Sequence, residues 1–383
     1  MHLSRLHIEG LRNIDAAELS LGSGFNYLYG ANGAGKTAVL EAIHLLARGR
    51  SFRAKSLDRL VNVGSKRLVV RAGVVNRSGT HRLALSRADG ASNFRLDGLN
   101  VGGFSGLIEQ LAVQTLLPDA SNLIYSGPGE RRGFLDWGLF HVEHGFLALS
   151  RQYNRALRQR NAWLKSEAGV GAKSNQGSRP SLETDPWLTP LVGYASQLND
   201  ARGRYVDSLR PPFAQALLAL SHNLQVELAY DSGGLGAAED SYKKMSESFA
   251  RDVKFGVTHR GPHRADLTIL TPSHHTKNLP TVATPGNKAA EVFSRGQAKI
   301  AASALMLAQV DLQQSATGQG SVVLIDDFGA ELDSEHWKRF VSTLEKLACQ
   351  VIVTSTQAPE VQGLLSEVDC KVFHVEHGRI CSI

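Results

Sequence analysis

Cysteine is scarce in this chain: three residues in 383, Cys349, Cys370 and Cys381, all near the C-terminal end and none at a metal-ligand spacing. An odd and sparse set excludes a disulfide framework and fits a reducing interior. Long apolar runs are missing as well. None approaches the ~20 residues that cross a bilayer, and no signal-peptide pattern opens the chain. A cytoplasmic protein with no membrane partner is therefore expected. There is no internal repeat, zinc spacing, aromatic RNA-binding signature or evident recognition helix, so readout of base sequence is not expected either. Charge is unevenly supplied: 42 Lys and Arg stand against 36 Asp and Glu, for a net +6 and a pI near 9.2. That balance favours a polyanionic partner such as nucleic acid. With 42% hydrophobic residues over this length, there is room for two domains, or for one head with a large insertion.

The most specific feature is Gly30-Ala31-Asn32-Gly33-Ala34-Gly35-Lys36-Thr37, a complete phosphate-binding loop. The apolar run Phe25 to Tyr29 before it reads as a strand. After it, Val39, Ile43 and Leu46 fall at helical spacing. Strand, glycine loop and helix is the context the motif requires. The glycines let successive N–H groups face one anion, Lys36 suits the β- and γ-phosphates, and the Thr37 hydroxyl suits Mg²⁺. Far downstream, Ser321 to Ile325 form an apolar run that ends in Asp326 and Asp327. A buried parallel strand is expected there, with both acids emerging at its carboxyl end. Asp326 suits Mg²⁺ through an intervening water, and Asp327 is placed to orient or deprotonate an attacking water or to hold the Mg²⁺ shell. The distance in sequence between Lys36 and Asp326 is too great for a compact GTPase or a small nucleoside kinase. The only GTPase-like tetrapeptide, Asn287-Lys288-Ala289-Ala290, lacks the acid that would read guanine, so adenine is preferred by elimination.

Between these elements lies Ser294-Arg295-Gly296-Gln297, opening an Ala/Leu helix. Its hydroxyl and free N–H groups could form a second anion site, or Ser294 could be an ordinary N-cap. Phosphate loop, this segment and the acid strand, in that order, resemble ATP-binding-cassette (ABC) ATPases that act on chromosomes. Four further stretches narrow the similarity to the RecF family of recombination mediators: Leu6 to Asn13, Gly129 to Trp137, His259 to Leu267 and Ile325 to Asp333.

The resemblance implies an α/β fold: an ABC-type P-loop ATPase head assembled from both chain ends (1–118 and 252–383), with a mostly helical inserted arm (119–251). Within the arm, the Gly/Ser-rich stretch 166–186 reads as a flexible surface loop, and the helical stretch after it is expected to break at Pro211-Pro212. Arg131 and Arg132 are expected to hold the junction of head and arm through acid pairs. The resemblance also implies a slow ATPase with ATP and Mg²⁺, stimulated by DNA, whose two heads close head-to-tail. Ser294 and Gly296 of one subunit, with Arg295 and Gln297 beside them, would then cap the γ-phosphate held by Lys36 of the other. Arg12 and Asn13 match the family's Arg-Asn after its first strand. Gln114 matches the Q-loop glutamine that senses Mg²⁺, and Asp333 the acid that crosses the dimer interface. Thr356 stands at the switch-histidine position and Asp327 where transporter cassettes carry glutamate, two departures that favour a clamp with slow turnover. Implied roles are DNA replication, recombinational repair and the SOS response. Implied partners are duplex DNA at gaps or single/double-strand junctions, RecR and, indirectly, RecO and RecA.

Two basic stretches are candidates for DNA. Arg151, Arg155 and Arg158 fall on one helical face, with Arg160 and Lys165 nearby and almost no acids between. Arg48, Arg50, Arg53, Lys55 and Arg59 follow the phosphate-loop helix and suit DNA, adenine or ribose contacts, or plain solvation. Two other classes stay open: the energy-supplying subunit of a membrane transporter, and a P-loop kinase acting on a small molecule.

Overall fold

Alternating apolar and polar residues at the start of the chain form a sheet with one buried face. The computed structural model describes residues 1–171, 181–237, 240–272, 287–327, 334–358 and 370–383. Strand β1 (His2–Leu11) pairs antiparallel with β2 (Ile14–Ser20). β3 (Phe25–Tyr29) joins a different sheet and leads through the glycine loop into α1 (Lys36–Arg48). β4 (Arg67–Asn76), β5 (Gly79–Ala88), β6 (Ala91–Leu96) and β7 (Leu99–Asn100) then complete the first sheet in the order β2-β1-β4-β5-β6-β7. Its period-2 pattern sends Leu6, Ile8, Leu68, Val70, Leu83 and Leu85 into the core against α1, and the residues between them outward. Helix α2 (Ser105–Ile108) and β8 (Val113–Leu116) follow.

The chain divides into two compact units. One comprises Met1–Ser121, Gln215–Leu224 and Arg295–Ile383; the other comprises Asn122–Ala214 and Gln225–Ser294. The second contains α3 (Asn122–Tyr125), α4 (Pro128–Val142), α5 (Phe146–Gly171) and most of α6 (Leu188–Leu220). Next come β9 (Glu227–Asp231), α7 (Ser241–Glu247), α8 (Phe249–Phe255), β10 (Asp266–Leu270) and α9 (Ala289–Val292).

This division corrects the boundaries expected from sequence. The helical unit runs to Ser294 instead of ending at 251, because pairings that composition does not reveal tie 252–294 to it. β9 pairs antiparallel with β10. Arg160 on α5, wholly buried, donates to Asp185 and Asp252 at 2.8 Å each and to Thr258 at 2.9 Å. Arg131 grips Asp266 at 2.7 and 2.9 Å, and Arg132 donates to the Ala265 carbonyl at 2.8 Å. Both arginines therefore work inside the second unit, not at a junction. The expected loop 166–186 is also smaller than its composition indicates. α5 continues to Gly171, Leu182–Thr184 form a 3₁₀ turn closed by the Ser181–Thr184 capping box, and Asp185 is buried on Arg160; residues 172–180 lie outside the described set. Pro211 and Pro212 do not break α6. Buried Val206, Leu209, Phe213 and Leu217 hold the helix on both sides of them despite the two missing N–H groups.

The remaining elements return to the first unit: α10 (Arg295–Thr317), β11 (Val322–Ile325), α11 (Ser334–Lys346), β12 (Gln350–Ser355), β13 (Cys370–Glu376) and β14 (Arg379–Ser382). They build a second sheet, β14-β13-β3-β12-β11-β8, whose members other than β14 run parallel. β11 and β12 are buried at every position, as strands of a covered parallel sheet should be. In register, Tyr29 lies beside Ser355 and Ile325 beside Val353. The carboxyl ends of β3, β12 and β11 therefore form one row, the edge where ligands sit in such sheets.

Candidate functional site

The glycine loop springs from the end of β3. At Gly30 the chain passes so close to β13 that a Cβ would lie 2.0 Å from the Val375 carbonyl oxygen. Gly35, with φ at 118°, supplies the left-handed turn that starts α1. Asn13 pins the loop from outside, its side-chain amide donating to the Gly33 carbonyl at 2.9 Å. Lys36 is buried and folds back on the loop, donating to the carbonyls of Gly30 and Ala31 at 2.8 and 2.9 Å. Burial lowers its pKa, against the pull of the nearby Asp327 and Asp326 carboxylates.

Across from the loop, Asp326 is 2% exposed yet holds three partners. Its Oδ1 accepts from the hydroxyls of Thr37 at 2.8 Å and Thr354 at 2.9 Å, and its Oδ2 accepts from Arg53 at 3.2 Å. The Thr354 hydroxyl in turn accepts the Asp327 N–H at 2.9 Å, so one threonine on β12 orders both acids. Asp327 sits in the left-handed region with φ at 58°, where the chain turns away from β11. These groups border a cavity of about 930 Å³, lined by the loop, Arg12, Asn13, Glu41, Arg53 and the two acids. Glu41, on α1, is 1% exposed and takes a bidentate pair from Arg12 at 2.8 and 3.1 Å.

A magnesium ion fits this donor set. The Thr37 hydroxyl and the Asp326 carboxylate are hard oxygen ligands already in contact, and Mg²⁺ takes one or two protein oxygens beside phosphate and water, not a protein cage.

Several expected site residues lie elsewhere. Gln114 is buried on β8 and donates to Gln309 on α10, while its neighbour Thr115 meets His44 of α1 at 3.1 Å. Gln114 is thus held against α10 and does not line the cavity. Thr356 is exposed beyond the end of β12 and does not line the cavity; Thr354, two residues earlier, makes the contacts. Asp333 lies outside the described residues. Ser294, Arg295, Gly296 and Gln297 are all exposed, the last three opening α10 away from the Lys36 cavity.

The two basic stretches also divide. Arg53 binds Asp326, and Lys55 and Arg59 line the same cavity, so these three gather at the phosphate loop. Arg48 is half-buried, donating to the Val113 carbonyl at 3.3 Å, and of the five only Arg50 is exposed outside that cavity. On α5, Arg151, Arg155 and Arg158 are exposed, with no acid in ion-pair reach among the described residues; Arg160 is the buried exception. Sequence reasoning missed Thr354 and Glu41. The signal for Thr354 was a polar Thr-Ser pair closing a buried strand whose middle, Val351 to Val353, is apolar. Glu41 gave none, being an ordinary helix glutamate until Arg12 meets it.

Residues 2–380 match the family described as RecF/RecN/SMC N terminal domain. The chain is 34% identical to the DNA replication and repair protein RecF of Shewanella piezotolerans over the whole of both chains. It is 35% identical to that of Pseudomonas syringae, with 99% of this chain and 98% of the relative covered. Among solved structures, the recombination mediator protein RecF in its ATP form superposes with a TM-score of 0.83 at 24% identity, covering 100% of this chain and 97% of the other. An Smc head bound to the C-winged helix domain of ScpA follows at 0.60 and 16%, covering 100% and 98%.

Proposed function

Because this chain belongs to the RecF family within the RecF/RecN/SMC group, and carries the ABC-type ATPase head fold, we propose that it is an ATP-controlled DNA clamp of replication and recombinational repair. The observation that carries the reading is the Thr37–Asp326 contact. It brings together, from opposite ends of the chain, the two oxygens that would hold Mg²⁺, within a cavity large enough for a nucleoside triphosphate. ATP is the nucleotide proposed, with Lys36 leaving its loop carbonyls for the β- and γ-phosphates and the loop N–H groups taking the remaining charge. Bound Mg²⁺ would neutralise phosphate charge as it develops. Arg12, Asn13 and Arg53 position the nucleotide from the cavity wall. Asp327, beside Asp326 but without its set of hydroxyl partners, orients and deprotonates the attacking water. Its short side chain fits slow turnover, so that ATP acts as a latch more than as fuel.

In this reading two heads close head-to-tail on ATP, with Ser294 to Gln297 and Asp333 serving the partner's nucleotide. The closed dimer holds duplex DNA next to single-strand gaps, independent of sequence, and helps RecR, with RecO indirectly, to load RecA. The exposed Arg151, Arg155 and Arg158 of α5 are a first candidate contact for the phosphate backbone. No helix among the described residues is long and apolar enough to cross a membrane.

The test is duplex-DNA binding by fluorescence anisotropy in Mg²⁺ at fixed moderate salt, with and without saturating ATP, for the wild type and Lys36→Met. ATP should strengthen binding by the wild type and do nothing for the variant, which loses its phosphate contact. Equal binding with and without ATP would remove the latch from the reading.

A further inference from the structure

The antiparallel sheet of the first unit has a second concave feature, on the face turned away from the core. A groove of about 810 Å³ crosses its strands. Cross-strand register explains its shape. Glu18, His7, Arg71, Ala84, Arg95 and Asn100 are successive partners across β2, β1, β4, β5, β6 and β7, and thus form one row. The adjoining row runs Arg5, Gly73 and Arg82. Gly73 and Ala84 make a low floor on the two central strands, and arginines rise around it.

Cations on this face outnumber its acids. Glu18 is taken by Arg5, and Asp97 accepts the Arg82 backbone N–H at 2.7 Å and His81 at 2.9 Å. The guanidinium groups of Arg71 and Arg82 form no ion pair among the described residues and act on Glu9 and Asp97 only at longer range, while that of Arg95 meets the neutral Asn100 at 3.0 Å. Arginines on an edge strand would be explained as protection against edge pairing. Arg71 and Arg82, however, sit on β4 and β5, in the middle of the sheet, where no edge needs protecting. His7 directly opposite Arg71 and an arginine on either side of Ala84 are arrangements that a sheet gains nothing from by itself.

We propose that this groove is a phosphate-tracking surface for duplex DNA, distinct from the arginine row of α5. Strands two apart lie about 10 Å from each other, so Arg71, Arg82 and Arg95 offer separate cations to successive backbone phosphates. Among the described residues no Phe, Tyr or Trp lines the groove, and His7 is its one ring, so it lacks a row of stacking platforms for unpaired bases and a duplex backbone fits it better than a single strand. The inference rests on the DNA-binding reading above.

It is tested on the full chain with ATP and Mg²⁺ by titrating labelled duplex at several salt concentrations. The wild type is compared with Arg71→Gln/Arg82→Gln/Arg95→Gln, and with the control Arg67→Gln/Arg87→Gln, on the same sheet but already paired with Glu9 and Asp58. The groove variant should lose at least about tenfold in affinity, and its salt slope should flatten by about 2 to 3, with fluorescent-ATP binding unchanged as a check on folding. The control should stay within about twofold of wild type. Wild-type affinity and slope in the groove variant, or an equal loss in the control, would overturn the groove as a site and leave the clamp reading standing. A wild type that binds no duplex in any nucleotide state would overturn both.

Discussion

Asp326 and Asp327 are adjacent in sequence, but their surroundings differ, as the proposed division of work between them requires. Asp326 is buried with two hydroxyls and an arginine on its oxygens. Asp327 has its N–H tied to Thr354 and its backbone in the left-handed region, and it borders the cavity. Asp327→Asn is therefore expected to keep ATP affinity within about threefold while ATP hydrolysis falls about 100-fold or more, since general-base catalysis contributes about 10² to 10⁴. Phosphate release and fluorescent-nucleotide binding check the two halves separately, and unchanged turnover would move water activation to another residue. Much of this was legible beforehand, because the loop, Thr37 and the acid pair are local words in the sequence. Arg53 was legible only as a positive charge. Its place on Asp326 depends on how the segment after α1 folds back over the cavity, which no spacing encodes.

At the scale of elements, the expected domain boundary failed where a single buried cluster decides the issue. Arg160 looks like one more cation in the basic stretch of α5, yet α5, the buried Asp185 and α8 converge on it, and Asp252 also receives the N–H of His259 at 3.0 Å. Removing the shared arginine strands the two buried carboxylates of Asp185 and Asp252, and a stranded buried charge costs about 3 to 5 kcal/mol. Arg160→Ala should destabilise the second unit by about that amount. Denaturant unfolding followed by tryptophan fluorescence reports mainly on this unit, since Trp137, Trp163 and Trp187 lie in it and only Trp337 in the other. A loss below about 1 kcal/mol would mean that the cluster is not holding α8 in place. Helix α6 teaches the same lesson in reverse. Pro211-Pro212 is a strong local break signal, but a row of buried side chains on both flanks overrode it.

For the whole molecule, the Lys36 cavity contains the phosphate loop and both acids but not Arg295, Gly296 or Gln297, which are exposed. A second copy would supply them in the proposed head-to-tail dimer. Light scattering should find the wild type dimeric with ATP and Mg²⁺, and Ser294→Arg monomeric under the same conditions with ATP binding retained. A dimer formed equally well by that variant would argue against a composite site. The nucleotide loop, the acid strand, the α/β class and the family were all readable from residues in order along the chain, because each depends on neighbours within a few positions or on a run of one polarity. The reach of the helical unit to Ser294, the turning of Gln114 toward Gln309, the joining of Thr37 to Asp326 through Thr354's strand and the arginine groove across the antiparallel sheet were decided only by the fold. The physical reason is common to all four: each is a pairing between strands or helices distant in sequence, and which face a side chain presents follows from strand register, which no local pattern specifies.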